Sequence, residues 1–492
     1  MFKTQPQLID YIPSQEKYQC FELLLNQNWS ILLDSGEVMP AERNTNSELY
    51  KRFDILVNQP CIKISFANNT LQISENDNTT LVETNRPLEN LRELLRRHQI
   101  DDISEDDLGD IPFRGGLLGY ISYDFGKEYL SSNAISTCGQ QNAIDDLQIP
   151  GIKMGLYQWA LITDHQYKTT TIYNFGLAET DWLARVETIK SSINQSRKLH
   201  SKSDIKEFSA DQSFQQYASS FEKIKAYIDS GDCYQINYAQ RFQTSYEGEI
   251  FSIYKKLALA NNSPFSSFMR FEDFQILSLS PERFIAVNNK QVITQPIKGT
   301  LPRKFDPLED RQQAENLVKS IKDRAENLMI VDLLRNDLSR TAATSSVEVT
   351  ELFGHYRFES VHHLISTIES RLAPQFDVFD LLQTTLPGGS ITGAPKIRAM
   401  QIIDELEPVK RGIYCGIIAY IDFRGKMDSN ICIRTLVAKN NKLYCWAGGG
   451  LVSDSNLESE YQETYDKLNK ILPVLNEQPP VIDDPAREPK VV

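Results

Sequence analysis

In the stretch QVITQPIKGTLPR, a strand-like run from Gln291 to Ile297 ends in Lys298, followed at once by Gly299 and Thr300. A lysine amine attacks carbon only when unprotonated, and partial burial or a neighbouring cation lowers its pKa toward that state. Read locally, a solvated hairpin lysine explains the same residues. Glu282, in SLSPERF, follows another strand, where its proline and arginine neighbours suit a surface turn equally well. Two further segments carry paired carboxylates. Asp323 and Glu326 in KDRAENLMIVDLLRNDL are three residues apart, and Glu460 and Glu463 in WAGGGLVSDSNLESEYQETYDKL repeat that spacing. Each pair shares a helix face, and Lys467 lies one turn beyond Glu463 on the same side. Such pairs offer the hard oxygen ligands that Mg²⁺ prefers, although solvated faces of surface helices show the same pattern.

The segment LPGGSITGAPKIRAMQIIDEL places glycines and hydroxyls before a helix, with Pro395 in its first turn and Ile397, Met400, Ile403 and Leu406 on its buried side. Free N–H groups at such a start favour an anion, but a glycine-rich turn into an ordinary helix has the same composition. The segment lacks the Gly-Lys-Ser/Thr ending of a nucleotide P-loop. Ser455 and Glu458 form a capping-box pattern ahead of the last acidic helix. His362 and His363 are consecutive in an apolar segment, so in an extended strand at most one faces a pocket. Arg434, among apolar strand residues in ICIRTL, requires a carboxylate from the protein or from a ligand.

The elements that hold these residues follow from periodicity. Phe214, Tyr217, Phe221, Ile224 and Ile228 form the stripe of an amphipathic helix that stops at Gly231, and the alternation of Tyr234, Ile236 and Tyr238 predicts a half-buried strand. Strands are predicted over 274–279, 283–287, 291–297, 412–422, 430–438 and 442–448, with KNNK as a hairpin turn, and helices over 307–321, 324–339, 394–406 and 457–472. Adjacent strands with short turns and helices in blocks indicate an α+β fold, antiparallel sheets in a sandwich-like core with helices packed outside. Residues 1–200 read as mostly β, 201–475 as the region bearing the chemistry, and 476–492, rich in proline and charge, as a disordered tail. The acidic stretch 101–110 reads as a loop or short helix.

A chain of 492 residues can bury a deep site in two to four domains or in one large composite core. No apolar run approaches the roughly 20 residues of a membrane span, and the N-terminus lacks a signal-peptide pattern, so a cytoplasmic location is expected. Seven scattered cysteines without a Cys-x-x-Cys pair fit reduced thiols. A net charge of −14, without a Lys/Arg cluster among aromatics, argues against a nucleic-acid partner. The same charge means that an anionic substrate must be caught by local cations inside a pocket.

In order along the chain stand PIKGTLPR, DRAENLMIVDLLRNDL, LPGGSITGAPKIRAM, RGIYCGIIAYID, ICIRT and AGGGLVSDSNLESEYQETYDK. Together they resemble the chorismate-utilising enzymes over residues 205–475. The residue before Gly-Thr is alanine in anthranilate synthases, whereas lysine, as here, resembles the aminodeoxychorismate-forming members. The N-terminal runs LLDSG, RFDILV and PFRGGLLGYISYDFG resemble the same members. The resemblance implies a Mg²⁺-dependent amination of chorismate in which Lys298 attacks C2 and Glu282 acts as acid/base, with His363 in the pocket. It implies Glu326 and Glu463 as metal ligands, supported by Asp323 and Glu460. It assigns Tyr414, Arg434, Lys467, Gly448 and Gly449 to the substrate carboxylates, with Thr392 and Gly393 beside the ring.

It also implies a tryptophan pocket built from Ser35, Tyr50, Lys51, Arg52, Phe53, Pro264, Phe265 and Ser266, with a departure at Lys127, where arginine is common. None of the cysteines lies in a Gly-x-Cys-x-Gly nucleophile elbow, so ammonia is expected from a separate glutamine amidotransferase subunit. The alternatives are an anthranilate synthase component I and a catalytically silent tryptophan- or chorismate-binding regulatory subunit.

Overall fold

A strand covered on one face alternates apolar and polar side chains, whereas a strand covered on both faces is apolar throughout. Both kinds occur in the computed structural model, which describes residues 6–37, 50–76, 78–99, 110–127, 143–196, 203–358 and 361–475. Among these residues the strands form two antiparallel sheets, of 13 and 12 strands. In the first sheet Ile31, Ile55 and Ile276 enter one apolar cluster, while their neighbours Leu32, Leu56 and Leu277 enter another. That sheet is therefore covered on both sides. The cluster between the sheets also takes Ile62, Ile64 and Leu117 from the second sheet, and the outer cluster is closed by helices Glu179–Ser196 and Ile250–Asn261. In the second sheet, strand Ile62–Ala67 alternates buried and outward residues. This is the expected α+β sandwich with helices outside.

Strands from both sides of residue 200 share the sheets. Ser30–Asp34 pairs with Phe265–Arg270 in the first, and Gly116–Ile121 with Ile417–Asp422 in the second. The tail 476–492 and residues 101–109 of the acidic stretch lie outside the described residues. Among the described residues no helix is long and apolar enough to cross a membrane, and the six described cysteines are free.

Helices Phe214–Asp229, Pro307–Lys319, Ile321–Ser339 and Lys396–Leu406 form where apolar spacing predicts them, and the last predicted helix ends early, at Leu457–Asp466. Ile397 is 48% exposed rather than buried, because the inward face of its helix centres on Ala399, Ile402, Ile403 and Leu406. Strand Gln235–Gly248 is buried on both faces over its first eight residues, not half-buried, and Tyr234 lies outside it and exposed. The KNNK turn closes the hairpin between Thr435–Lys439 and Lys442–Leu451, with Asn440 and Asn441 both at positive φ.

Three predicted strands are interrupted. The strand expected from 412 begins at Ile417, because Gly412 and Cys415 take positive φ in a turn. The run 291–297 stops at Thr294, and a new strand, Ile297–Pro302, follows Pro296. The run 430–438 is two strands, Met427–Ile431 in the second sheet and Thr435–Lys439 in the first, and the chain crosses between them at Arg434, φ 50°.

Candidate active site

The crossing at Arg434 has a counterpart. Strand Phe274–Ser280 belongs to the first sheet and Arg283–Asn288 to the second, leaving Glu282 in the link between them. The two links are stitched together: the Ser280 hydroxyl donates to the carbonyl of Ile431 at 2.6 Å, and the N–H of Leu279 donates to the carbonyl of Arg434 at 3.0 Å. Glu282 is thus held by paired backbone although it lies outside a ladder.

Lys298 owes its position to an irregularity. Strand Ile297–Pro302 pairs with Val361–Arg371, but the register shifts between Ile297 and Thr300, so Lys298 and Gly299 sit in a bulge that re-aims the side chain. Gly299 has φ 89°, and a Cβ there would lie 3.1 Å from Asp323 Oδ1. The positive φ favours glycine, and a side chain there would also have to push Asp323 and Leu317 aside.

Lys298 keeps part of its side chain accessible while its ammonium sits deep among protein atoms. Burial pushes its pKa below the ordinary lysine value, the Lys467 ammonium pushes the same way, and Glu326, Glu282 and Glu463 oppose them. Glu282, 5% exposed, is pushed up to about 7 by burial, against the pull of Lys298 and of hydrogen bonds from Ser390 and the backbone of Ile297. Both members of this pair are therefore moved toward their neutral forms, the forms that a nucleophilic amine and a general acid need. His363 is the inward histidine. Its Nδ1 lies 2.8 Å from Thr300 Oγ1, its cross-strand partner, and burial and then Arg434 lower its pKa to about 3, so the ring is neutral. His362 points the other way, with Nε2 3.0 Å from Asp310 Oδ1 and Nδ1 2.9 Å from His355, in a structural network with Arg303.

The two acidic helices frame the same space. Ser320 caps Ile321–Ser339, and Asn456, not Ser455, caps Leu457–Asp466. Ser455 instead donates to Glu460 Oε1 at 2.6 Å, so the expected capping box gives way to a side chain that orients a carboxylate. A Cβ on Gly449 would lie 3.1 Å from Glu460 Oε2 and 3.3 Å from Glu463 Oε1, which places both carboxylates over that glycine. Burial raises Glu326 and Glu460, and Asp323 and Glu463 raise Glu326 further; burial acts on Glu463 in the same direction, but Lys467 at 2.6 Å, Lys298 and Lys322 together lower it.

Among the described residues no three carboxylate, imidazole or thiol groups already converge on one point. Buried Glu460 Oε2, however, has no hydrogen-bond partner, and a hard dication such as Mg²⁺ fits the all-oxygen set of Glu326, Glu463, Asp323 and Glu460.

The remaining expected residues are distributed around this centre. The half-buried Arg434 has no carboxylate partner among the described residues, and its effect on His363 places it beside the pocket. Lys467 donates to the carbonyl of Gly448 at 2.7 Å. Tyr414 stacks on Trp446, two residues before Gly448 on the same strand, with 8° between the rings. Thr392 is fully buried and donates to the carbonyl of Gly388 at 3.2 Å, and Gly393 is pressed against the carbonyl of Gln235, so packing already explains these two. Ser390, which touches Glu282, and Lys322, which acts on Glu326, Glu460 and Glu463, did not emerge from the sequence. Ser390 stands in the glycine-rich segment before helix Lys396–Leu406, and nothing in its spacing separates it from Thr392.

A cavity of about 410 Å³ is lined by Ser35, Tyr50, Arg52, Phe53, Pro264, Phe265 and Ser266, seven of the eight residues expected to form the tryptophan pocket. Lys51 is not among its lining residues, because its ammonium donates to the carbonyl of Glu37 at 2.9 Å. Arg283 also lines the cavity and donates to Gln295 at 3.2 Å, three residues before Lys298. Lys127 pairs with Asp404 at 2.6 Å and does not line this cavity.

Residues 46–473 match the family described as chorismate binding enzyme. The chain is 45% identical to aminodeoxychorismate synthase component 1 of Escherichia coli (strain K12), over 92% of this chain and 94% of that one. It is 33% identical to anthranilate synthase component 1 of Lactococcus lactis, over 89% and 93%. Its fold is similar to the crystal structure of anthranilate synthase component I from Streptococcus pneumoniae TIGR4, with TM-score 0.72, 32% identity, and 88% and 93% of the two chains covered.

Proposed function

This chain belongs to the chorismate binding enzyme family, and from that premise we propose that it is an aminodeoxychorismate synthase component 1 that aminates chorismate to 4-amino-4-deoxychorismate. The observation that carries this reading is the half-buried Lys298, its ammonium deep among protein atoms, set against Glu282, each shifted toward neutrality. The neutral amine of Lys298 forms a bond to ring carbon C2, the ring double bonds shift, and the C4–O bond breaks as Glu282 protonates the departing hydroxyl to water. Ammonia then bonds to C4, the double bonds shift back, and the C2–N bond to Lys298 breaks. Arg434 and Lys467 hold the substrate carboxylates, and neutral His363, held by Thr300, lines the pocket. Mg²⁺ on Glu326 and Glu463, with Asp323 and Glu460 in support, would neutralise a substrate carboxylate that this acidic protein otherwise repels.

The ammonia is supplied by a separate glutamine amidotransferase subunit, and the 410 Å³ cavity takes tryptophan. The product feeds para-aminobenzoate and folate synthesis in the cytoplasm. Incubation of the purified chain with chorismate, Mg²⁺ and an ammonium salt is expected to yield 4-amino-4-deoxychorismate, and glutamine alone is expected to yield nothing. Anthranilate with release of pyruvate would favour the anthranilate synthase reading. Intact-protein mass spectrometry during turnover is expected to show a ring adduct on Lys298.

A further inference from the structure

The ion pair between Lys467 and Glu463 engages two groups that the reaction needs for other partners. Lys467 Nζ lies 2.6 Å from Glu463 Oε1, yet Glu463 is a metal ligand and Lys467 a substrate-carboxylate contact in the function proposed above, on which this inference rests. One ammonium cannot neutralise Glu463 and grip a substrate carboxylate equally well. Both side chains are about half exposed, at 44% and 43%, so the lysine can swing about its flexible stem without crossing the core. The pair is also an incomplete solution, because it leaves buried Glu460 Oε2, over the same glycine, without a hydrogen-bond partner among the described residues.

We propose that Lys467 is an exchangeable counter-ion: it neutralises Glu463 in the metal-free protein, and a divalent cation arriving on Glu463 turns the ammonium toward the anionic substrate. Metal and substrate then strengthen each other's binding by the same factor, because each favours the arrangement in which the pair is open.

The test is titration of Mn²⁺ onto the whole purified chain without substrate, reading free ion by electron paramagnetic resonance. Lys467→Met is expected to bind Mn²⁺ up to about five-fold tighter than the natural protein, the upper range for an exposed ion pair. Lys467→Arg is expected to remain near the natural value. Lys322→Met removes the same charge near Glu326, Glu460 and Glu463 without breaking an ion pair among the described residues, so it is expected to change affinity by less than about two-fold. Chorismate in ammonium-free buffer is expected to tighten Mn²⁺ binding to the natural protein but not to Lys467→Met.

Equal effects of the two methionine variants, or substrate-dependent tightening that survives in Lys467→Met, would overturn the proposal. Failure of the natural chain to bind Mn²⁺ would overturn it together with the metal reading, while product analysis judges the amination separately. Should Lys467→Met not fold by thermal melting, Lys467→Gln carries the same expectations.

Discussion

The backbone N–H of Ile431 donates to the carbonyl of Glu282 over 3.1 Å, joining the two places where the chain leaves one sheet for the other. The candidate acid and the candidate substrate arginine are thereby mounted on one paired link, Glu282 directly and Arg434 three residues past Ile431. Sheet crossings free side chains from ladder geometry while neighbouring strands still hold the backbone, which suits groups that must face a ligand rather than a core.

Activity is expected to be bell-shaped in pH. Lys298 must be neutral, so its limb rises with pH, displaced below the ordinary lysine range by burial and Lys467. Glu282 must be protonated, so activity falls as pH rises through about 7. The pH dependence of kcat/KM for chorismate with ammonium checks both limbs. Glu282→Gln is expected to abolish the falling limb while lowering the rate by about 10²-fold or more.

Removing the Thr300 hydroxyl is expected to act on the ring of His363 rather than on affinity. Thr300→Val removes the 2.8 Å contact at Nδ1 and leaves the backbone of Gly299 as the ring's other hydrogen-bond partner, so the ring is held less firmly. A fall in kcat of about ten-fold, the cost of roughly one buried hydrogen bond, with little change in KM, is the expected steady-state result.

Among the described residues Arg434 has no carboxylate partner, so its replacement is expected to leave folding intact and weaken substrate binding. Arg434→Met is predicted to raise KM for chorismate by at least about ten-fold, the worth of a charge-assisted contact, with the melting temperature unchanged. A large loss of stability would show that the guanidinium serves the fold instead.

The loop that brings Ser390 to Glu282 is tied by a buried pair. Arg411 donates to Glu407 from Nε at 2.8 Å and from Nη2 at 2.6 Å, and from Nη1 to the carbonyl of Ile391 at 3.0 Å. Glu407 in turn accepts from the N–H of Ala239 at 2.9 Å. Glu407→Ala strands a guanidinium that is 1% exposed, so denaturant unfolding is expected to show a loss of about 3–5 kcal/mol.

Helices with an apolar stripe and short hairpins depend on neighbours a few residues away, so Phe214–Asp229, Ile321–Ser339 and the KNNK turn were legible from the chain alone. The residue types of the candidate site were open to the same reading, since the glutamate pairs and Lys467 follow helix spacing and Lys298 stands out by its place at a strand end. Which apolar runs break was not legible. The crossing at Arg434 and the slip at Lys298 leave side-chain chemistry unchanged, and they arise from how strands far apart in sequence choose between two sheets. Ser390 was missed for the same reason, because its partner Glu282 is more than a hundred residues away. Local periodicity is set by backbone geometry over one or two turns, whereas a pKa near 7 at Glu282 and a bulge that aims Lys298 exist only once distant segments exclude water from a common cleft.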